Sequence, residues 1–202
     1  GTIQSDKYLT TEDMLGDIDI YSARSCYPLG KRTAEHYCYI YYKQNKVPVK
    51  IARLAQTFGY GIDPSDNRVF AQFAKAAYQN EDIILHTEGL SMGNYCESKD
   101  AVNALFIALM NGQDGEAYNV VNEENTMLIR DMAELVANKI AKGKTKVIYD
   151  IPGKNKFGYA RDTKLRLSSK KLQKLGWKPT KNLEDMYRDL IDWLMKNKIC
   201  PR

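Results

Sequence analysis

The sequence predicts an α/β fold with a mainly parallel sheet. Segments with helical spacing of apolar residues alternate along the chain with short runs of β-branched and apolar residues. Most of these runs are separated by a helical segment rather than a tight turn, and parallel strands need such long connections. Hydrophobic residues make up 44% of the chain and charged residues 27%, which is typical of a protein with a packed core.

The first long element is a helix over about 25–45, which follows a polar stretch of loop and short turns. Pro28 falls in its first turn, where a missing N–H costs little stability. One apolar face of this helix is formed by Ala34, Tyr37, Cys38 and Tyr41.

The next run, 47–59, is rich in β-branched and apolar residues and ends at Gly59, so it predicts one buried strand. A polar loop separates it from a helix over 68–80 and a short strand over 82–89. A strongly patterned helix follows over 98–112, with Ser98 or Asp100 as the expected N-cap.

The last third of the chain continues the alternation. A strand over 116–122 precedes a helix over 125–143, for which Thr126 is the expected N-cap and Gly143 the stop. The remaining elements are a strand over 146–152, a short helix over 168–176 and a final helix over 182–198.

Composition argues against several classes of protein. No apolar run is long enough to cross a bilayer, and the polar, acidic start does not resemble a signal peptide, so we expect a cytoplasmic protein with no membrane partner. Four scattered Cys without a C-x-x-C pair, and only two His, predict free thiols and no metal site.

The net charge of +5 is concentrated in basic residues between 138 and 181. The plainer interpretation is a solvated surface; the alternative is a site for an anion, either a diphosphate or a nucleic-acid backbone. Aromatic side chains do not alternate with the basic ones as they do where bases stack, so we do not expect nucleic acid as a partner.

Four Tyr-x-x-x-Lys pairs occur in the chain, namely Tyr27/Lys31, Tyr39/Lys43, Tyr42/Lys46 and Tyr95/Lys99. Residues four apart share one helical face, and a Lys ammonium favours the anionic form of a nearby tyrosine. Such a tyrosine can exchange a proton with a sugar or alcohol hydroxyl while a nicotinamide carries the hydride. The alternative is a tyrosine packed on the core beside a solvated lysine, and spacing alone favours that alternative for every pair.

The surroundings favour the first pair. Tyr27 lies in the first helical turn just after a loop, where a side chain can face a cleft, and Gly30 lets another group approach closely. The pairs at Tyr39 and Tyr42 lie deeper in the same helix and are interpreted as structural. We therefore predict that Tyr27 and Lys31 are catalytic.

The stretch RSCYPLGKRTAEHYCYIYY, followed by VPVKIARLAQTFGYGIDPSDNRVFAQFAKAAYQNEDIILHTEG, resembles the extended short-chain dehydrogenase/reductases that act on nucleotide sugars. The nearest resemblance is to UDP-glucuronate decarboxylases and to sugar-nucleotide 4,6-dehydratases or 4-epimerases, and it covers nearly all of residues 20–195. It implies a partial Rossmann-like parallel sheet with a small α/β substrate-binding domain. The expected dinucleotide-binding part is 1–61 with 94–122, and the expected substrate-binding part is 62–93 with 123–202.

The resemblance also implies a cofactor, a substrate and site residues. The cofactor would be NAD and the substrate a nucleotide-diphosphate sugar. Tyr27 would be the catalytic acid and base, and Lys31 would hold the nicotinamide ribose and tune Tyr27. The nicotinamide and sugar-diphosphate site would include Leu54, Gln56 and Thr57, and the helix that flanks the nucleotide base would begin at Arg68 and Val69.

Two departures from the family pattern limit these roles. The family usually has Asn where Gln56 stands, and often has an Arg that binds diphosphate near Gly93. Arg161 or Arg166 is the expected source of that missing charge, because guanidinium binds phosphate through two parallel hydrogen bonds. Surface charge is an equally good interpretation of both arginines.

The family's amino-terminal β-α-β unit with Gly-x-x-Gly-x-x-Gly is missing, as is its catalytic Ser or Thr. We therefore expect the chain to be the carboxy-terminal portion of a longer enzyme and to be inactive alone. A homodimer through the Tyr27 helix is also expected from the resemblance. The alternative function is a relative without catalysis that binds RNA or a protein, and the plainest is an α/β domain in which Tyr27 is structural.

Overall fold

The computed structural model describes residues 9–63, 65–153 and 162–197. Its helices are α1 (Cys26–Asn45), α2 (Val69–Gln79), α3 (Ser98–Asn111), α4 (Ile129–Leu135), α5 (Lys170–Gln173) and α6 (Leu183–Lys196). Its strands are β1 (Ile51–Leu54), β2 (Gln56–Phe58), β3 (Ile83–Leu85), β4 (Met92–Gly93), β5 (Tyr95–Glu97), β6 (Ala117–Val120), β7 (Met127–Leu128) and β8 (Val147–Tyr149). No helix in these ranges is long and apolar enough to span a membrane.

The strands pair in twos, and three of the four pairs are parallel. The pairs β1–β6, β2–β5 and β3–β8 are parallel, whereas β4 and β7 are antiparallel. In the first pair Arg53 lies opposite Asn119, and in the second Gln56 lies opposite Tyr95. The predicted α/β class with a mainly parallel arrangement is confirmed.

The prediction of one buried strand over 47–59 is wrong, because β1 and β2 have different partners. The Ala55 amide donates to the Val120 carbonyl (3.0 Å), and the next amide, of Gln56, donates to the Asn94 carbonyl (3.0 Å). The pairing therefore changes from β6 to β5 within one residue. Leu54 is 51% exposed, so burial is wrong for the end of β1, although Phe58 is buried.

Two predicted helix starts are also wrong. Glu97, rather than Ser98 or Asp100, caps α3, because its carboxylate accepts from the amides of Lys99 (2.6 Å) and Asp100 (3.0 Å). The Thr126 hydroxyl donates to the Asn94 side chain (3.1 Å), and Leu128, two residues later, is the N-cap of the helix that Thr126 was predicted to cap. The helix predicted from 125 begins instead at Ile129, after the short strand β7.

The core divides into two clusters of buried side chains. In the larger cluster the Phe58 ring stacks on Phe70 with centroids 4.4 Å apart and lies against Tyr95 and Tyr187, which joins β2, β5, α2 and α6. The smaller cluster joins α3, β6 and the segment after α5 around Trp177. The division of the chain into a dinucleotide-binding part and a substrate-binding part stays a prediction.

Trp177 and Asp100 fasten the smaller cluster. The buried Trp177 indole donates to the Asp100 carbonyl (2.9 Å). The Asp100 carboxylate in turn accepts from the amide (2.7 Å) and hydroxyl (2.8 Å) of Thr180. These bonds satisfy a buried carboxylate and tie the segment before α6 to the first turn of α3.

Candidate active site

The predicted catalytic pair lies at the exposed start of α1. Tyr27 is 70% exposed and Lys31 is also exposed. The Lys31 ammonium nitrogen lies 5.5 Å from the centroid of the Tyr27 ring, within the range of a cation–π interaction. The side chain of Tyr27 is therefore open to solvent rather than packed in the core.

Contacts along α1 show that this helix runs opposite to β1. Near its middle, the Glu35 carboxylate pairs with Arg53, close to the end of β1. Towards the end of the helix, the Tyr42 ring lies so close to Gly115 that a Cβ there would come within 2.3 Å of it. The Gly115 amide donates to the Val49 carbonyl (2.7 Å), just before β1 begins.

This direction carries Tyr27 beyond the carboxyl end of β1. Tyr27 precedes Glu35 by eight residues, which corresponds to about 12 Å along a helix. Gln56 follows Arg53 by three residues, which corresponds to about 10 Å along an extended chain. The start of α1 and the stretch after β1 therefore lie at the same end of the sheet, where parallel α/β folds bind their ligands.

Three further predicted residues lie at this end. Leu54 is half-exposed at the end of β1, and Gln56 is exposed at the start of β2. The Thr57 hydroxyl donates to the Ala55 carbonyl (3.0 Å), so its proton is already engaged by the main chain. An apolar surface beside an amide, a tyrosine and a lysine is suited to a flat, partly polar ring with a hydroxylated sugar next to it.

Arg68 immediately precedes α2 and Val69 is its first residue, within one residue of the prediction, but Arg68 is not a free cation. Its guanidinium donates to both carboxylate oxygens of Asp66 at 2.6–3.1 Å and lies 4.6 Å from the centroid of the Phe70 ring. These hydrogen bonds lower the pKa of the Asp66 carboxyl, which therefore stays charged beside the arginine. An anionic ligand at Arg68 would have to compete with this carboxylate.

Arg166 lies in a segment held by the main chain. The Thr10 amide donates to the Arg166 carbonyl (2.6 Å), and the Asn94 side chain bonds the Leu165 carbonyl (2.8 Å) and the Leu167 amide (2.9 Å). The Arg166 side chain is exposed. The other expected source of charge, Arg161, lies outside the described residues.

Gly93 stands near the position of the family's diphosphate-binding arginine, and the structure leaves no room for that side chain. A Cβ added to Gly93 would come within 2.4–2.6 Å of the Tyr95 ring and hydroxyl. Real Cβ atoms are not found so close to other atoms. Tyr95 is itself buried beside Phe58. A side chain at position 93 therefore requires the Tyr95 ring to move out of the core.

The residues that hold α1 against the rest of the chain were not predicted from the sequence. Arg53 and Glu35 form a two-bond ion pair, and Arg32 donates to the carbonyls of Leu15 (2.6 Å) and Gly16 (2.9 Å). One signal was available, since Glu35 follows Lys31 by four residues and so lies on the side of the helix that carries the predicted catalytic pair.

Comparison with known proteins places this geometry in a family. The family model described as the NAD dependent epimerase/dehydratase family matches residues 5–121, more than half of the chain. UDP-glucuronic acid decarboxylase 1 of Danio rerio is 32% identical over 186 residues, which cover 92% of this chain and 43% of the relative. The chain therefore spans less than half the length of that relative.

Solved structures share the fold. The dTDP-glucose 4,6-dehydratase from Bacillus anthracis, determined in complex with NAD, matches with a TM-score of 0.77 and 19% identity over 98% of this chain and 59% of that chain. The UDP-glucose 4-epimerase from Thermotoga maritima, determined with UDP-glucose, matches with a TM-score of 0.73 and 22% identity over 86% of this chain and 54% of that chain. The expected family resemblance is confirmed, and the chain belongs to the NAD dependent epimerase/dehydratase family.

Proposed function

We propose that this chain supplies the proton-transfer pair of an NAD-dependent nucleotide-sugar epimerase, dehydratase or decarboxylase. The observation that supports the proposal most strongly is the exposed Tyr27–Lys31 pair at the carboxyl end of β1, with 5.5 Å between the ammonium and the ring centroid. The relatives and solved structures with this fold include a UDP-glucuronic acid decarboxylase, a dTDP-glucose 4,6-dehydratase and a UDP-glucose 4-epimerase.

Tyr27 acts in both directions of the redox step. Its oxygen takes the proton of a sugar hydroxyl as that carbon is oxidised, and returns a proton when the carbon is reduced. The Lys31 ammonium stabilises the negative charge that develops on the Tyr27 oxygen. Bound NAD would supply the acceptor for the hydride that leaves the sugar carbon.

The residues at this end of the sheet fit the nicotinamide half of NAD. The half-exposed Leu54 side chain offers an apolar contact for the ring, Gln56 offers an amide, and Lys31 has donors for ribose hydroxyls. A nucleotide-diphosphate sugar would then lie along Gln56 and Thr57. Its phosphates would meet Arg166, with Arg161 as a second candidate outside the described residues, and its base would meet Arg68 and Val69.

We further propose that the chain is the carboxy-terminal part of a longer enzyme and is inactive alone. The 202 residues contain no Gly-x-x-Gly-x-x-Gly, the motif whose glycines let the main chain approach a cofactor pyrophosphate. Isothermal titration of the 202-residue chain with NAD should therefore show weak or no binding, and micromolar binding would contradict this.

The longer enzyme, with its amino-terminal part, should convert a nucleotide sugar without net consumption of NAD, because the hydride taken from the sugar is returned to it within each turnover. The test follows the products formed from UDP-glucuronate, dTDP-glucose and UDP-glucose. Conversion of one of these sugars, lost when NAD is removed, is the expected result. Failure to convert any nucleotide sugar while NAD remains bound would contradict the proposed function.

A homodimer through the Tyr27 helix completes the proposal. All residues of α1 lie within the described part of the chain, and none of them is buried; Tyr37 is 62% and Tyr41 58% exposed. A helix that exposes aromatic side chains on this scale is suited to bury them against a partner. Sedimentation velocity should show that the parental protein is a dimer and that the double variant Tyr37→Glu/Tyr41→Glu is a monomer. Tyr21→Glu replaces an exposed tyrosine before α1 and should leave the dimer intact. A dimer that survives the double substitution would place the interface elsewhere.

A further inference from the structure

The orientation of α1 against the sheet is not set by a buried apolar face. Within the described chain no side chain of this twenty-residue helix is buried. The apolar stripe that an amphipathic helix buries normally determines which side of the helix faces the core. Other contacts must therefore fix which side of α1 faces the sheet.

The ion pair between Glu35 and Arg53 is suited to that task. The Arg53 Nε donates to one Glu35 carboxylate oxygen (2.9 Å), and its Nη2 donates to the other. Both side chains are more than two-thirds buried, with 27% and 29% of their surfaces exposed. Two parallel charge-assisted bonds hold two planes in one orientation, which a single bond between point charges does not.

Arg53 is itself fixed from other directions. It lies on β1 opposite Asn119, and its Nη1 donates to the Glu12 carbonyl (2.6 Å). The Glu12 carboxylate accepts from the Asn119 amide (2.8 Å). The Arg53 guanidinium is thus held by β1 and by the segment before α1. The Glu35 carboxylate therefore pairs with a fixed group rather than with a mobile side chain.

We propose that the Glu35–Arg53 pair is a positioning pair that sets the rotation of α1 and thereby aims Tyr27 and Lys31 at the end of β1. Glu35 lies one turn beyond Lys31 and two turns beyond Tyr27, on the same side of the helix. Neither Glu35 nor Arg53 contacts the reacting atoms in this account. Their effect on turnover rests on the proposed function, but their effect on the helix does not.

The orientation of α1 can be measured with spin labels. One label is placed on the exposed Cys26 and a second on Asn103→Cys, an exposed position in α3, with Cys38 and Cys200 replaced by Ser; Cys96 is buried. Glu35→Gln, which hardly changes the shape of the side chain, should shift the mean distance between the labels or broaden the distance distribution beyond that of the parent. Arg53→Lys should do the same, because an ammonium lacks the planar fork that forms two parallel bonds from two nitrogens.

Two controls separate rotation from unfolding. Labels on the native Cys26 and Cys38 report the length of α1 itself, about 18 Å along the axis, and should be unaffected by Glu35→Gln. Glu184→Gln removes an acid paired with Arg188 and Lys139 on another helix, and should leave the distance from α1 to α3 unchanged. An unchanged distance in both Glu35→Gln and Arg53→Lys would overturn the positioning proposal.

Turnover tests the functional consequence separately. In the longer enzyme, Glu35→Gln should lower kcat at least tenfold while the KM for NAD stays near its parental value, because the misplaced group acts in the chemical step. A shifted helix with undiminished kcat would support the positioning of α1 and contradict the role of Tyr27.

Discussion

Replacing Tyr27 with Phe is expected to reduce turnover of the longer enzyme by about 10²–10⁴-fold, the usual contribution of a positioned general acid or base. The substitution removes one hydroxyl from a side chain that is 70% exposed and contributes little to the core, so folding should be unaffected. NAD should still bind, because the ring and the Lys31 ammonium remain. The measurement is kcat for the nucleotide sugar together with NAD affinity for parent and variant.

Tyr39 provides a matched control on the same helix. It also precedes a lysine by four residues, and the Lys43 ammonium lies 5.4 Å from the centroid of its ring, close to the value for the first pair. Tyr39→Phe removes the same atom at the same spacing but three turns further from the end of β1. It should therefore leave kcat unchanged. Equal turnover in both variants would show that the Tyr27 hydroxyl transfers no proton.

Replacing Trp177 with Ala is expected to lower the free energy of unfolding by about 3–5 kcal/mol, the range for deletion of a large buried aromatic side chain. Trp177 is completely buried in the smaller core cluster. Its loss leaves a cavity between α3 and the segment after α5 and removes the bond to the Asp100 carbonyl (2.9 Å). Urea unfolding followed by circular dichroism measures the change.

The other tryptophan is the control for this effect. Trp193 lies on α6 and packs against the larger cluster while remaining partly exposed. Because it buries less surface, Trp193→Ala should cost clearly less than Trp177→Ala. A larger loss at Trp193 than at Trp177 would mean that the smaller cluster does not hold the carboxy-terminal segment in place.

Local patterns in the sequence were sufficient to locate the helices. The spacing of apolar residues predicted α1, α2, α3 and α6 to within a few residues, because helices depend mostly on contacts three and four residues apart. The alternation of helices and strands was sufficient for the α/β class.

Features that depend on distant partners could not be read from the sequence. The run 47–59 has no Gly or Pro between β1 and β2 to mark a break, and only β5 and β6, some forty to sixty residues away, divide it between two partners at Ala55. Thr126 is a good N-cap residue, but it lies before β7, and the helix begins only after that strand. The strands β4 and β7 are two residues long and leave no periodic signal.

The candidate site shows the same division. Spacing alone could not distinguish Tyr27 from Tyr39, since both pairs have a lysine over the ring. The structure separates them by their distance from the carboxyl end of β1, because α1 runs opposite to β1 and Tyr27 lies at its start. Asp66 lies two residues before Arg68 in the sequence. Only the folded geometry shows that its carboxylate binds the Arg68 guanidinium and would compete with an anionic ligand.

The central claim is that the Tyr27 hydroxyl faces the reacting sugar at the end of β1. A crystal structure of the longer enzyme with NAD and a bound nucleotide sugar measures this directly, through the distance from the Tyr27 oxygen to the oxygen of the hydroxyl that is oxidised. We predict a separation of about 2.6–3.2 Å, with Lys31 beside the nicotinamide ribose. A complex in which the Tyr27 oxygen contacts neither ligand, directly or through one water, would contradict the account.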